Sequence, residues 1–194
     1  MKIAVLGATG QTGQYLINQA LQQGHTVTAI VRNPGKLTVQ HEKLKVVEGN
    51  IFSEDSLKLH FQGQDAVVSC LGFPASFLSG VTGYTLSMRA AVNAMREAKS
   101  SYLIRFLLLP MIRSVLSNMF EMEHFLKKTP DINWTVVRPP AKEFLTHEGY
   151  FVPDSNGQPV GSAVGRGDVA RFMLFLLNTN AWFNKAVAIT TKHE

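Results

Sequence analysis

Three glycines spaced by three, Gly7, Gly10 and Gly13, stand in "GATGQTG" directly behind the apolar run "KIAVL". Glycine at these points does a specific job. The first permits a tight turn, the second lets the backbone approach a pyrophosphate, and the third lets the next helix pack closely on the strand. The free amides and dipole at that helix's N-terminus then favour an anion. A glycine triplet can also be a purely structural turn. At residue 7, between a strand and a helix, it predicts a dinucleotide site.

Nineteen positions beyond Gly13, at the end of the run "TVTAIV", stands Arg32. Dinucleotide sites that hold a free ribose 2′-hydroxyl place an acid about 20 residues on. A carboxylate would repel a 2′-phosphate, whereas a guanidinium grips one in bidentate fashion and stacks on adenine. Arg32, with Lys36 on the following turn, therefore predicts NADPH (NADP) as cofactor; the alternative is an exposed arginine at a strand end. In "EGNIF", Asn50 is either an adenine contact, with Ile51 beside it, or an ordinary turn asparagine. Leu71 and Gly72 end the next apolar run, where a glycine lets the nicotinamide ribose approach the backbone, or simply makes a turn.

Other catalytic chemistry is thinly represented. A tyrosine acid with a lysine four residues on would serve alcohol and ketone chemistry. Here the residues four beyond the tyrosines are Gln19, Met88, Phe106 and Asp154. His124 is a weak catalytic candidate, either a proton donor or a helix-surface histidine paired with Glu121 or Lys128. Glu121, Glu123 and His124 lack metal-ligand spacing, so no metal is expected. Phe73, Phe77 and Phe151 are pocket-lining candidates, though ordinary core or loop packing is the first reading of each. Cys70 falls inside a strand and is expected to be inert.

These residues need elements to place them. Periodicity predicts strands at residues 2–6, 26–31 and 44–48, in "DAVVSCLG", in "NWTVVRP" and in "KAVAITT". Helices are predicted near 12–23, 54–60, 84–99, 115–128 and 168–177. Strands alternating with helices imply βαβ units, hence one doubly wound α/β domain over residues 1–194 with a parallel sheet. One join departs from the pattern. "KSSYLIRFLLLPMIRS" carries two arginines and Pro110 where a buried fifth strand belongs, and "RPPAKEFLTHEG" is abrupt for a loop crossing the site. Either a strand is lost, or "LIRFLL" is a poor one, or segments are missing near 100–103 and 140–141. The last is the expectation, because deleting a central strand would orphan its neighbours' backbone groups.

The 194 residues carry a net charge of +5 and are 45% hydrophobic, ordinary for a soluble protein. The basic residues are scattered, so nucleic acid is not an expected partner. One cysteine allows no internal disulfide and suggests a reducing compartment. No signal peptide is evident at the N-terminus, and "YLIRFLLLPMI" is too short to span a bilayer. A soluble, cytoplasmic protein without a membrane partner is expected, as a monomer or weak homodimer.

At "KIAVLGATGQTG", "TVTAIVRNPGK", "VVEGNIF", "DAVVSCLG", "EMEHFLKKTPDINWTVVRPP" and "GRGDVARFMLFLL" the chain resembles the atypical short-chain dehydrogenase/reductases. Within them it is similar to the NAD(P)H-binding group that includes biliverdin reductase B, an NADPH-dependent flavin reductase. The resemblance covers most of the chain apart from residues 100–114 and 141–165. It implies a Rossmann-type fold in which Gly7, Thr9, Gly10, Gln11 and Thr12 hold the pyrophosphate, and Arg32 and Lys36 the 2′-phosphate. Asn50 and Ile51 would flank adenine, Leu71 and Gly72 the nicotinamide side, and Pro139 and Pro140 the nicotinamide ring. The group usually has Asp at Asn50, and its serine-bearing fifth strand end has no match here. The implied function is hydride transfer to a small flat acceptor such as a flavin or tetrapyrrole. The alternative is an NmrA-like NADPH-binding redox sensor without turnover, with "YLIRFLLLPMIRSVL" as its partner surface.

Overall fold

β-Branched and small apolar residues make strands that can be covered on both sides, which is what a central parallel sheet requires. The computed structural model of the protein describes residues 1–73, 82–98, 103–107, 113–139, 142–144, 151–154 and 163–191. The first half runs β1 (Lys2–Leu6), α1 (Gln11–Gln22), β2 (Thr26–Val31), a 3-10 turn (Pro34–Lys36), β3 (Leu44–Glu48), α2 (Glu54–Phe61), β4 (Ala66–Ser69) and α3 (Gly83–Glu97). The second runs β5 (Leu103–Leu107), α4 (Arg113–Lys127), β6 (Asn133–Arg138), β7 (Lys142–Phe144), β8 (Phe151–Asp154), β9 (Ala163–Gly165), α5 (Arg166–Leu176) and β10 (Lys185–Thr191).

The main sheet has the order β3-β2-β1-β4-β5-β6-β10-β8, parallel except for the antiparallel edge strand β8. Strand order reverses between β1 and β4, and such a switch point opens a crevice at the strands' carboxyl ends. This is the doubly wound Rossmann architecture expected from the alternation of elements. Strand alternation divides the core. Ile3, Val5, Val27 and Ala29 face α1 and α5, whereas Ala4, Leu6, Ile30 and Val67 face α2, α3 and α4.

At the anomalous join, the second of the three readings describes the sheet. "LIRFL" is β5, and it pairs in parallel with β4 (Val67↔Ile104) and with β6 (Ile104↔Trp134). The neighbouring strands are therefore hydrogen-bonded across this position, and no central strand is lost. Leu103–Leu107, five residues of the segment read as a partner surface, form an interior strand of the sheet. Residues 99–102, 108–112 and 140–141 lie outside the described part.

β4 is shorter than "DAVVSCLG" suggested. β1 ends at Leu6, so on that side the last ladder bond is the one the Cys70 N–H donates to the Leu6 carbonyl at 2.9 Å. β7, β8 and β9 were not anticipated. β7 pairs with β9 in a two-stranded ribbon, and β8 closes the sheet edge against β10. β8 contains Pro153, which an edge strand accommodates because one side makes no ladder bonds.

Candidate functional site

The glycine loop is shaped by its contacts rather than by flexibility. Gly7 has φ +76°, and a Cβ there would lie 2.6 Å from the Cys70 carbonyl carbon. A Cβ on Gly13 would lie 2.2 Å from the Gly7 carbonyl oxygen. Both positions therefore require glycine, the first for the turn past β4 and the second for the close approach of α1. The Gly10 N–H donates to the Gly7 carbonyl at 3.0 Å, closing the turn.

Helix α1 starts without a side-chain cap and without an acidic residue in its first turn. Its leading amides are therefore open to an anion at the positive end of the dipole. Thr12 is buried in that first turn, Gln11 is exposed, and the Gln14 Nε2 braces the loop by donating to the Thr9 carbonyl at 3.1 Å. Leu16, Ile17, Ala20 and Leu21 anchor the helix in the core.

A cleft of about 340 Å³ opens at the switch point. It is lined by residues 7–10 of the loop, by Ile30, Val31 and Arg32 at the end of β2, by Ile51 and Phe52 after β3, and by residues 70–73 after β4. The fold thus gathers Gly7, Thr9, Gly10, Arg32, Ile51, Leu71 and Gly72, all anticipated from sequence. A Cβ on Gly72 would meet nothing within 4 Å, so this glycine leaves open space. Arg32 also lines an adjoining hollow with Glu48, Gly49, Asn50 and Ser56. Among the described residues no ion pair engages Arg32 or Lys36. Lys36 ends the turn that Asn33 caps by accepting the Gly35 N–H at 3.1 Å, and it lies outside the cleft wall.

Asn50 serves its own turn. Its Oδ1 accepts the Phe52 N–H at 3.0 Å, and its N–H donates to the Ser56 Oγ at 3.0 Å. Pro139 is buried at the end of β6, while Pro140, Phe77 and the Phe151 side chain fall outside the described residues. His124 sits on the exposed side of α4 and does not line the cleft. Its neighbour Glu123 turns inward and accepts from the Arg138 Nε at 2.9 Å in a bidentate pair, tying α4 to the end of β6. Burial pushes the Cys70 thiol up to about 12, which keeps it protonated at neutral pH. No group of three or more His, Cys, Asp or Glu among the described residues could hold a metal.

Phe73, a pocket-lining candidate from sequence, does line the cleft, and three residues that support it, Phe52, Tyr84 and Asn118, were not singled out. Phe52 lies 48% exposed at the cleft mouth, its ring 6.0 Å from that of Phe73. Phe73 meets Tyr84 edge-on at 4.9 Å, and its N–H donates to the Tyr84 hydroxyl at 3.2 Å. Asn118 on α4 accepts from the Tyr84 and Thr85 amides at 3.0 and 3.2 Å, capping α3 from outside. An aromatic directly after a strand end in "NIF" was a usable signal for Phe52. Asn118, thirty-four residues from Tyr84 in sequence, offered none.

An open helix N-terminus, a cradle that a Cβ on Gly7 or Gly13 would fill, and an arginine beyond it that forms no ion pair among the described residues suit a dinucleotide's pyrophosphate and ribose. Together with the strand order they define a Rossmann-type NAD(P)-binding domain. The chain belongs to the NAD(P)H-binding family, whose model matches residues 7–180. It is 32% identical over 106 residues to the uncharacterized protein YwnB of Bacillus subtilis, covering 54% of this chain and 46% of that one. The chain spans less than half the length of the first curated relatives that it matches. A Rossmann-fold NAD(P)-binding family protein from Shigella flexneri superposes with TM-score 0.84 at 20% identity, over 98% of this chain and 93% of that one. A candidate NADH-flavin reductase from Streptococcus pneumoniae superposes with TM-score 0.75 at 19% identity, over 99% and 100% of the two chains. No described helix is long and apolar enough to cross a membrane.

Proposed function

We propose that the protein is an NADPH-dependent reductase that passes hydride to a flat conjugated acceptor of the flavin or tetrapyrrole type. Arg32 carries the cofactor half of this reading. It stands at the end of β2, where a 2′-hydroxyl binder has its acid, and it lines both the cleft and the hollow beside it. Gly7 to Gly10 and the first amides of α1 would hold the pyrophosphate, and Gly72 would leave room for the nicotinamide ribose. When bound, the nicotinamide supplies two electrons as hydride, and the proton that completes reduction of the acceptor comes from solvent. The chain's own part is orientation and exclusion of water. The absence of a Tyr-x-x-x-Lys spacing and the exposed position of His124 both favour an acceptor that needs no protein acid. The flavin reductase likeness among the structural neighbours supports the acceptor class.

The test is calorimetric titration of the wild type and Arg32→Ala with NADPH and with NADH, followed by NADPH oxidation with added flavin. Loss of a charge-assisted contact should weaken NADPH by about 1.5–3 kcal/mol and leave NADH nearly unchanged. Equal affinities of the wild type for the two cofactors would overturn the NADPH assignment. Tight NADPH binding without turnover on flavins or tetrapyrroles would favour a redox sensor over an enzyme.

A further inference from the structure

Phe52 is 48% exposed although it lies at the mouth of an apolar cleft, and it is neither loose nor isolated. Its backbone is pinned by the Asn50 Oδ1, and its ring rests 6.0 Å from Phe73 at an interplanar angle of 36°. Phe73 is in turn set by Tyr84, through an edge-on ring contact and the hydroxyl that accepts its N–H. Tyr84 is at the start of α3, whose amides Asn118 caps. Gly83 belongs to the same arrangement, since a Cβ there would lie 2.6 Å from the Phe73 ring. Two rings are thus placed side by side at a surface where exposure to water would otherwise cost free energy.

We propose that Phe52, backed by Phe73, stacks on the purine of the bound dinucleotide, so that the protein reads the base by its face and not by its edge. The inference rests on the dinucleotide reading above and adds the mode of base recognition. With the pyrophosphate at the glycine loop and the ribose at Arg32, the base falls beside Ile51 and Phe52, with Phe73 behind the Phe52 ring. All three side chains are apolar. The polar side chain of this turn, Asn50, has its Oδ1 engaged by the Phe52 N–H, and the nearest carboxylate, Glu48, lines the adjoining hollow and not the cleft. Stacking on an aromatic ring tolerates any base, because every base has a π-face. The site therefore accepts a hypoxanthine dinucleotide about as well as an adenine one.

The experiment titrates wild type, Phe52→Ala and Phe52→Trp with NADPH and with reduced nicotinamide hypoxanthine dinucleotide phosphate. In the wild type the two ligands should differ by less than the factor of about 10 that one lost edge hydrogen bond produces. Phe52→Ala should weaken both alike, by about 10-fold or more, and Phe52→Trp should retain both. Phe52 is half exposed, so its truncation leaves the core intact, and an unchanged thermal midpoint checks this. A hypoxanthine ligand more than about 10-fold weaker in the wild type would overturn the inference. So would a Phe52→Ala protein that binds both ligands normally. NADPH and NADH share the same adenine, so a failed Arg32 test leaves this result standing, and the reverse also holds. If neither cofactor binds, both readings fall.

Discussion

At the scale of single residues, the site depends on groups whose chemistry is set by close neighbours. Gly13 is the clearest case. Gly13→Ala forces a methyl to 2.2 Å from the Gly7 carbonyl oxygen, and both partners are backbone. The loop must move, at a cost of about 1–3 kcal/mol or more. A lower urea midpoint together with lost cofactor binding is expected, and a denaturation series with and without NADPH measures both. Cys70 makes a pH prediction. Burial raises its thiol from 9.0 to about 12, so between those values the unfolded chain releases a proton that the folded chain keeps. Fewer protons bound in the unfolded state means stability falls as pH rises through that window. Comparing midpoints of wild type and Cys70→Ala from pH 8 to 11 isolates the effect, and the wild type should lose more stability as pH rises.

Among the elements, the pocket wall is held by a helix that does not touch the cleft. Helix α3 has no cap from its own Thr82, and its first amides are satisfied instead by Asn118 of α4. Asn118 is 5% exposed, and its Nδ2 also donates to the Thr85 Oγ at 2.8 Å. Asn118→Ala would leave buried donors unpaired. It should destabilise the protein by roughly 1–3 kcal/mol, read from chemical denaturation. Because Tyr84 would then be released from its register, NADPH affinity should also fall in a variant that still folds. An Asn118→Ala protein with lowered stability but unchanged affinity would show that the α3–α4 contact supports only the fold.

For the whole molecule, the cleft is a property of sheet order. The ends of β1, β2, β3 and β4 meet only because β4 lies beside β1 with the order reversed there. Cofactor binding should therefore slow amide exchange in four separate stretches at once, following Leu6, Val31, Glu48 and Ser69. The β10–β8 edge, four and more strands from β1, should be unaffected. Exchange measured by mass spectrometry with saturating NADPH checks this. Protection confined to the β10–β8 edge would relocate the site.

How much of this the amino-acid order decides is itself a physical question. Local patterns were enough for the glycine loop, the arginine at the end of β2 and nearly every helix and strand of the first half. Turn chemistry, apolar period and helix-terminal charge act over a few residues and do not wait for tertiary contacts. The irregular stretches were not legible. "LIRFL" lacks the look of a buried strand, yet it pairs on both sides, because a central position satisfies its backbone whatever its side chains. The edge strand with Pro153 and the β7–β9 ribbon were hidden for the same reason, since three- and four-residue strands depend on partners distant in sequence. The use of Asn50 in its own turn, the reach of Asn118 to α3 and the pairing of Phe52 with Phe73 were likewise decided only by folding. The Asn50 turn is local, and its two sequence readings could be separated only by the geometry. The last two are contacts whose energy arises when distant segments close on one another, and nothing in the order of residues records that closure.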